Sequence, residues 1–167
     1  MTTPINTTHT ISILVANKPG VLVRVALVFA RRGYNIDSLV VSATVNPRFS
    51  RMTITAKGSP ETLEQIIKNV SKLIDVIHTG EHDPSRSIDR ELALIKMKNT
   101  PAIKTAITKH SKKYHAKIVD DTDKTLIIAQ SGTTAELDEF EAILKKMGVT
   151  EYVRSGKLLM ARGKEQT

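Results

Sequence analysis

An order of apolar patterns that occurs twice is the feature that most constrains the fold of this 167-residue chain. Apolar residues recur at the two-residue period of strands and the 3.6-residue period of helices, in the order strand, helix, strand, strand, helix, strand. In the first copy the pattern predicts strands at 9–16, 34–45, 49–56 and 73–82, and helices at 21–32 and from Pro60 onward. In the second copy it predicts strands at 91–98, 115–119, 124–130 and 149–161, and helices at 102–112 and 134–147.

Two short echoes in the sequence support an internal duplication. The turn Asn17–Gly20 (NKPG) is echoed by Asn99–Ala102 (NTPA), each at the end of the first strand of its copy. The segment Ile77–Gly80 (IHTG) is echoed by Val153–Gly156 (VRSG), and both are expected in the middle of the last strand. Self-similarity of this kind indicates a repeated structural unit.

The β-α-β-β-α-β order predicts the fold class α+β, with two tandem ferredoxin-like domains. Each domain is expected to form a four-stranded antiparallel sheet with two helices on one face. We expect the first domain at 1–82, a short polar linker at 83–89 and the second domain at 90–167. A lone unit leaves one sheet face and its edge strands open, which favours association with another protein chain.

Composition excludes several classes of site. The chain has no Cys, which rules out disulfides, thiolate zinc sites and a Cys nucleophile. It has neither a phosphate-binding glycine loop nor a nucleophile elbow, so we expect no catalytic residues. Residues 1–8 resemble neither a secretory signal nor a transit peptide, and no apolar run is long enough to span a membrane. The sequence therefore predicts a cytoplasmic protein without membrane contact.

Metal and nucleic-acid sites are both weakly supported. The five His are scattered, and the acidic turn at 120–123 lacks the Gly and Glu that a calcium loop requires, so we expect no metal site. The net charge of +8 raises nucleic acid as a partner. However, RNA-recognition modules with this element order stack bases on aromatic side chains, and the third strand of the first copy has one aromatic residue, Phe49. We therefore expect no nucleic-acid partner.

The turn Asn17-Lys18-Pro19-Gly20 lies between a predicted strand and the start of a helix. Gly20 lets the backbone approach a ligand closely, and free N–H groups at a helix N-terminus attract anions such as a carboxylate. The Asn17 side chain can both donate and accept hydrogen bonds. On these grounds alone a ligand site and a simple capped turn remain equally supported.

Several segments resemble one protein family. Residues Ile13–Leu22 (ILVANKPGVL) resemble the opening of an ACT domain, a small amino-acid-binding regulatory module. The segments RRGYNIDSL (31–39) and SRMTI (50–54) resemble the small regulatory subunit of acetolactate synthase, also called acetohydroxyacid synthase. RELALIK (90–96), RSG (154–156) and MARG (160–163) fit the same family, and the resemblance covers residues 9–163.

This resemblance implies a non-catalytic protein. Such subunits activate a separate catalytic (large) subunit, which carries thiamine diphosphate, Mg²⁺ and usually FAD, so no cofactor is expected on this chain. They also confer feedback inhibition by valine in branched-chain amino acid biosynthesis, as allosteric homodimers. The alternative that stays open from charge and element order is a free-standing, amino-acid-responsive regulator that binds nucleic acid.

The resemblance also implies the effector-binding residues. Two protomers share the site in this family, one through the ligand turn and the other through a strand. The matching positions here are Asn17, Lys18, Pro19, Gly20, Val21 and Leu22 of one protomer, and Asn35 and Ile36 of the other. Val23 departs from the family, in which a small residue such as Ser or Ala is common, and we expect it either to weaken effector binding or to change which branched amino acid fits. Ala102 replaces Gly20 in the second copy, so we assign that copy to dimerisation or to contact with the catalytic subunit.

Overall fold

A computed structural model of the chain describes residues 7–165 and 167. By its internal contacts the chain divides into two compact units. The first contains residues up to Asp89 together with the segment from Lys157 onward, and the second is Arg90–Gly156. The expected absence of a leader rests mainly on residues 1–6, which lie outside the described residues.

The first unit has the predicted β-α-β-β-α-β order. Its elements are β1 (Thr7–Ala16), α1 (Val21–Arg31), β2 (Ile36–Ala43), β3 (Phe49–Gly58), α2 (Pro60–Val70) and β4 (Val76–Glu81). The strands form an antiparallel sheet in the order β2-β3-β1-β4, so that β2 and β4 are its edges.

The core of the first unit follows from residue spacing. Alternate residues of β1, Ile11, Ile13 and Val15, are buried against the helices, as the two-residue period of a strand requires. Helix α1 contributes Val21, Val25 and Phe29, spaced four apart on one face. Because this core is aliphatic apart from Phe29, the low aromatic content of the chain is sufficient for it.

The second unit repeats the arrangement. Its elements are β5 (Ser87–Lys98), α3 (Pro101–Tyr114), β6 (Ala116–Asp121), β7 (Thr125–Gly132), α4 (Thr134–Lys145) and β8 (Val149–Arg154). The strand order of these elements is β6-β7-β5-β8. The short strand β9 (Leu158–Ala161) follows β8 along the chain. The predicted α+β class with two ferredoxin-like units is confirmed.

Strand register confirms one sequence echo and corrects the other. Asn17 and Asn99 follow the equivalent strands β1 and β5. In the last strands, however, Gly80 pairs with Ser12, whereas Leu94, the counterpart of Ser12, pairs with Val153. Val153 is therefore the counterpart of Gly80, and the predicted equivalence of Gly80 with Gly156 is wrong.

Two predicted segments differ from the structure. The linker at 83–89 is ordered: Pro84–Arg86 forms one turn of 3-10 helix, which Asp83 caps, and β5 already begins at Ser87. The strand predicted at 149–161 is interrupted at residues 155–157, where Gly156 has a positive φ of 82°. By its internal contacts the segment after this break groups with the first unit.

Within the described residues, no helix has the length and apolar character that crossing a membrane requires.

Candidate functional site

The turn Asn17–Gly20 connects the end of β1 to the start of α1. The Asn17 main-chain N–H donates to the Arg48 carbonyl at 2.8 Å, and its side-chain Nδ2 donates to the Pro47 carbonyl at 3.0 Å. These bonds fix the turn to the loop between β2 and β3. The Asn17 side-chain oxygen accepts no hydrogen bond from the described residues, so it remains available to a donor outside the chain.

Gly20 shapes the N-terminus of α1. It occupies the N-cap position with φ 82° and ψ −8°, a left-handed conformation that glycine adopts at little cost. No side chain caps the helix, and the N–H groups of Leu22 and Val23 have no acceptor among the described residues. Free N–H groups and the helix dipole together favour an anion at this point.

The second unit shows what a closed version of this turn looks like. Asn99 repeats the tie to the adjacent hairpin, since its N–H donates to the Lys124 carbonyl at 3.0 Å and its Nδ2 donates to Asp121 at 2.7 Å and to the Thr122 carbonyl. Here, however, the helix begins at Pro101, and the Thr100 hydroxyl accepts the Ile103 N–H at 3.3 Å. Of these two equivalent helix starts, α1 lacks a side-chain cap and α3 has one.

An ion pair supports the turn from the other side. Arg24, on the first turn of α1, pairs with Asp75, whose side chain is almost completely buried. The Asp75 carbonyl accepts the Ala16 N–H at 2.8 Å, so Asp75 holds both the residue before the turn and the helix after it. Lys18 is exposed and has no acidic partner within the described part of the chain. The turn therefore has a positive electrostatic character.

The structure separates the roles of the apolar residues that follow Gly20. Val21 is 3% exposed and packs in the core, so its side chain does not face a ligand at the turn. Leu22 and Val23 are exposed. Of the predicted apolar site residues after Gly20, Leu22 can offer its side chain, whereas Val21 can contribute only backbone.

Asn35 and Ile36 lie far from the turn in the same chain. Ile36 pairs with Ala56 on β3, whereas Ala16, next to the turn, pairs with Phe49 on that strand. Seven residues of β3 separate the two levels, which corresponds to roughly 23 Å at about 3.3 Å per residue. The Asn35 side chain instead donates to Asp37 at 3.3 Å. One protomer therefore cannot bring both predicted halves of the site together.

The edge strand β2 and helix α1 carry exposed apolar side chains. They are Leu22, Val23 and Leu27 on the helix and Val41 on the strand. An edge strand also presents unpaired N–H and C=O groups, to which another strand can be added.

Sequence analysis did not connect Asp75, Arg48 or Pro47 with the turn at Asn17, although Pro47 lies in the turn expected between the strands at 34–45 and 49–56. Each acts on the turn through strand order, which brings residues about 30 and 60 positions away to the end of β1. No local pattern in the sequence marks them. Across residues 7–165 and 167, no three His, Asp or Glu side chains cluster in a way that would hold a metal ion.

Comparison with known proteins identifies the family. The model for the acetohydroxyacid synthase small subunit-like ACT domain matches residues 11–78, and the model described as "Small subunit of acetolactate synthase" matches residues 90–163. An acetolactate synthase small subunit from Mycolicibacterium smegmatis is 42% identical over 156 residues, which are 93% of this chain and 92% of the relative. The chain belongs to the acetolactate synthase small-subunit family.

Further relatives agree with this assignment. A probable acetolactate synthase small subunit from Archaeoglobus fulgidus is 40% identical and the match covers 95% of this chain and 99% of the relative. The crystal structure of the acetolactate synthase small subunit from Thermotoga maritima superposes with a TM-score of 0.85 at 36% identity. That match covers 95% of this chain and 99% of the other. Both units of the fold are therefore shared with this family.

Proposed function

We propose that this chain is the regulatory subunit of an acetolactate synthase, which activates the catalytic subunit and makes it sensitive to valine. The observation that carries the proposal is the open N-terminus of α1 beside Asn17, for which the second unit offers a capped counterpart. The open start of α1 offers free N–H donors beside the free Asn17 side-chain oxygen, and this combination supports a binding position for an amino acid.

The chemistry of the turn matches an amino acid. The carboxylate of valine would accept from the free N–H groups of Leu22 and Val23, where the helix dipole favours negative charge. Its ammonium group would donate to the Asn17 side-chain oxygen, which has no donor within the described residues. The isopropyl group would then contact aliphatic side chains, among which Leu22 is exposed.

The second half of the site would come from another copy of the chain in a homodimer. If β2 pairs antiparallel with the same strand of a second copy about a two-fold axis and the two strands overlap along their full length, residue 36 of one strand lies opposite residue 43 of the other. Ala43 pairs with Ser50, beside the Phe49 level at which the turn lies. This arrangement would bring Asn35 and Ile36 of the second copy to the turn of the first, and would cover exposed apolar residues of β2 and α1.

Inhibition then follows from differential affinity. Because two chains complete each site, valine binds the dimer geometry that brings both halves together more tightly than any other geometry. A ligand shifts an equilibrium only by its preference for one state, and typical coupling energies are about 1–3 kcal/mol. We propose that thiamine diphosphate, Mg²⁺ and FAD act on the catalytic subunit and that this chain contributes no reacting group. The comparisons do not favour the nucleic-acid-binding alternative.

Reconstitution tests the proposal. The full chain is titrated into the catalytic subunit from the same source, and acetolactate formation is measured with and without millimolar valine. We expect a saturable rise in rate that valine reduces. No rise in rate, together with no effect of valine, would contradict the proposed function.

A further inference from the structure

A patch of two isoleucines, Ile74 and Ile77, stands out at the β4 edge of the first unit. Ile74 lies in the loop before β4 and is 95% exposed, and Ile77 lies on β4 and is 57% exposed. Their neighbours Leu73 and Val76 pack against the core and anchor the segment. The two isoleucines therefore face away from the core and contribute little to its packing.

The fold does not require apolar residues at these positions. β4 has a bulge at Ile77, since Leu14 pairs with His78 and Val15 with Val76. In the second unit β8 has the same irregularity opposite Lys96 and Met97, and the residue at that position is Thr150, an exposed polar residue. A bulge at this point thus also forms around a threonine, so the backbone does not require an apolar side chain at Ile77.

The patch is linked through the contacts of Asp75 to the turn Asn17–Gly20, which we call the effector turn. Asp75 follows Ile74 directly, pairs with Arg24 on the first turn of α1, and accepts the Ala16 N–H at 2.8 Å. Displacement of the loop that carries Ile74 would therefore move both the residue before Asn17 and the helix after Gly20. A protein bound to Ile74 would therefore be coupled to the geometry of the turn through Asp75.

The positive charges near the patch indicate which kind of protein surface would bind there. Lys72, two residues before Ile74, and Lys18, on the turn, are exposed and have no acidic partner within the described part of the chain. A complementary surface has an apolar socket with carboxylates at its rim. A second copy of this chain in the proposed dimer does not cover the patch, because that dimer uses the opposite edge, β2.

We infer that the Ile74–Ile77 patch is a docking surface for the catalytic subunit, which meets it with an apolar socket rimmed by acidic residues. This inference rests on the proposed function and deepens it by naming the contact surface. It also explains how valine binding at the effector turn would reach the catalytic subunit, since Asp75 contacts the turn and directly follows Ile74 in the docked segment.

The test uses the full chain with Ile74→Glu and Ile77→Glu, and with Thr150→Glu as the matched control at the equivalent bulge of the second unit. The quantity measured is the concentration of small subunit that gives half-maximal stimulation of acetolactate formation. We expect it to rise by about tenfold or more in both isoleucine variants, as for a residue central to an interface, and to stay unchanged in the control. Unchanged half-saturation in both isoleucine variants would overturn the inference.

Three further measurements separate the outcomes. Thermal stabilisation by valine and the sedimentation mass of the isolated chain are expected to match the wild type in both variants, and loss of either would overturn the docking assignment. Lys72→Glu is expected to weaken stimulation and to reduce its dependence on salt, whereas an unchanged salt dependence would contradict the acidic rim. Failure of the wild-type chain itself to stimulate would instead reject the proposed function.

Discussion

Asn17 and Asn99 make the same contact in the two units: each side-chain amide donates to a main-chain carbonyl of the neighbouring hairpin loop, at Pro47 and Thr122 respectively. The shared contact explains why an asparagine follows the first strand of each unit, without reference to any ligand. What distinguishes the two positions is the next helix start, which Thr100 caps in the second unit and no side chain caps in the first.

This pair allows the structural and ligand roles of Asn17 to be separated. Asn17→Ala removes one exposed hydrogen bond, and we expect it to lower the free energy of unfolding by about 1 kcal/mol. Asn99→Ala removes two, and we expect it to lower the free energy of unfolding by about 1–2 kcal/mol. Asn17→Ala is expected to abolish valine inhibition while stimulation of the catalytic subunit persists, and Asn99→Ala is expected to leave both intact. Urea unfolding and the reconstituted assay measure the two effects. Equal loss of valine sensitivity in both variants would show that Asn17 acts only through the hairpin.

The left-handed conformation of Gly20 can be tested by substitution. Gly20→Ala places a side chain at φ 82°, which we expect to destabilise the first unit by about 1–3 kcal/mol. An added Cβ would lie 3.5 Å from the Arg24 guanidinium, an ordinary contact, so the cost arises from the backbone and not from a clash. If the backbone at position 20 of the Gly20→Ala variant instead relaxes out of the left-handed region, the free N–H groups of Leu22 and Val23 are reoriented, and we expect valine to bind more weakly. Calorimetric titration with valine and urea unfolding check the two outcomes, and a variant unchanged in both would contradict the argument.

The sequence predicted the element order because residue spacing reports directly on which face of a strand or helix is buried. Ile11, Ile13 and Val15 show this in β1. The sequence analysis missed the early start of β5 because the segment 87–89 comes shortly after Pro84 and two of its three residues are polar. One of these two, Ser87, is nevertheless buried.

Other features of the site depend on strand order and were beyond the reach of sequence patterns. The pairing of Arg24 with Asp75 joins residues 51 positions apart. The separation of the turn from Asn35 within one chain follows from the register of β3 with its two neighbours. The role of the turn itself was predicted from the family resemblance, and its test remains experimental.

A buried ion pair supports the second unit. Glu91 is 5% exposed, pairs with Arg154, and accepts a hydrogen bond from Thr134. Arg154→Met would leave the buried carboxylate without its cation, and removal of one partner of such a pair typically costs about 3–5 kcal/mol. The matched control is Lys96→Met, whose partner Glu151 is exposed, with an expected cost of about 1 kcal/mol or less. Urea unfolding measures both, and equal costs would contradict a structural role for Glu91.

His82 is expected to make stability depend on pH. Burial of its ring, together with the nearby charges of Arg51 and His78, lowers the pKa of His82, and Glu165 partly opposes this. The ring also contacts the Ser12 hydroxyl at 2.6 Å. Because the folded pKa lies below the ordinary value of about 6.5, the unfolded chain binds more protons in that window. Stability is therefore present above the unfolded pKa and is lost as pH falls through the folded one.

The measurement is the urea midpoint of the isolated chain between about pH 7.5 and pH 5. We expect the midpoint to fall toward acid in the wild type and to fall less in His82→Asn, which keeps polar atoms near Ser12 but cannot take up a proton. If the urea midpoints of the two proteins fall equally between about pH 7.5 and pH 5, groups other than His82 are responsible for the loss of stability in acid.

The shared effector site makes a prediction that no single-chain site would make. The turn and Asn35 lie at opposite ends of one sheet, roughly 23 Å apart at about 3.3 Å per residue. Asn17→Ala and Asn35→Ala dimers are therefore each expected to lose both valine sites. When the two variants are mixed and allowed to exchange subunits, a mixed dimer pairs the intact turn of one chain with the intact Asn35 of the other. One of its two sites is then complete.

Random exchange makes about half of the dimers mixed, so about a quarter of all sites should be restored. Calorimetric titration of the mixture with valine counts these sites, and each variant alone provides the control. Recovery requires that Asn17 and Asn35 act from different chains. If the mixture binds no more valine than either variant alone, although exchange is verified by mass, both residues must be needed in the same chain, and the two-fold arrangement through β2 is excluded.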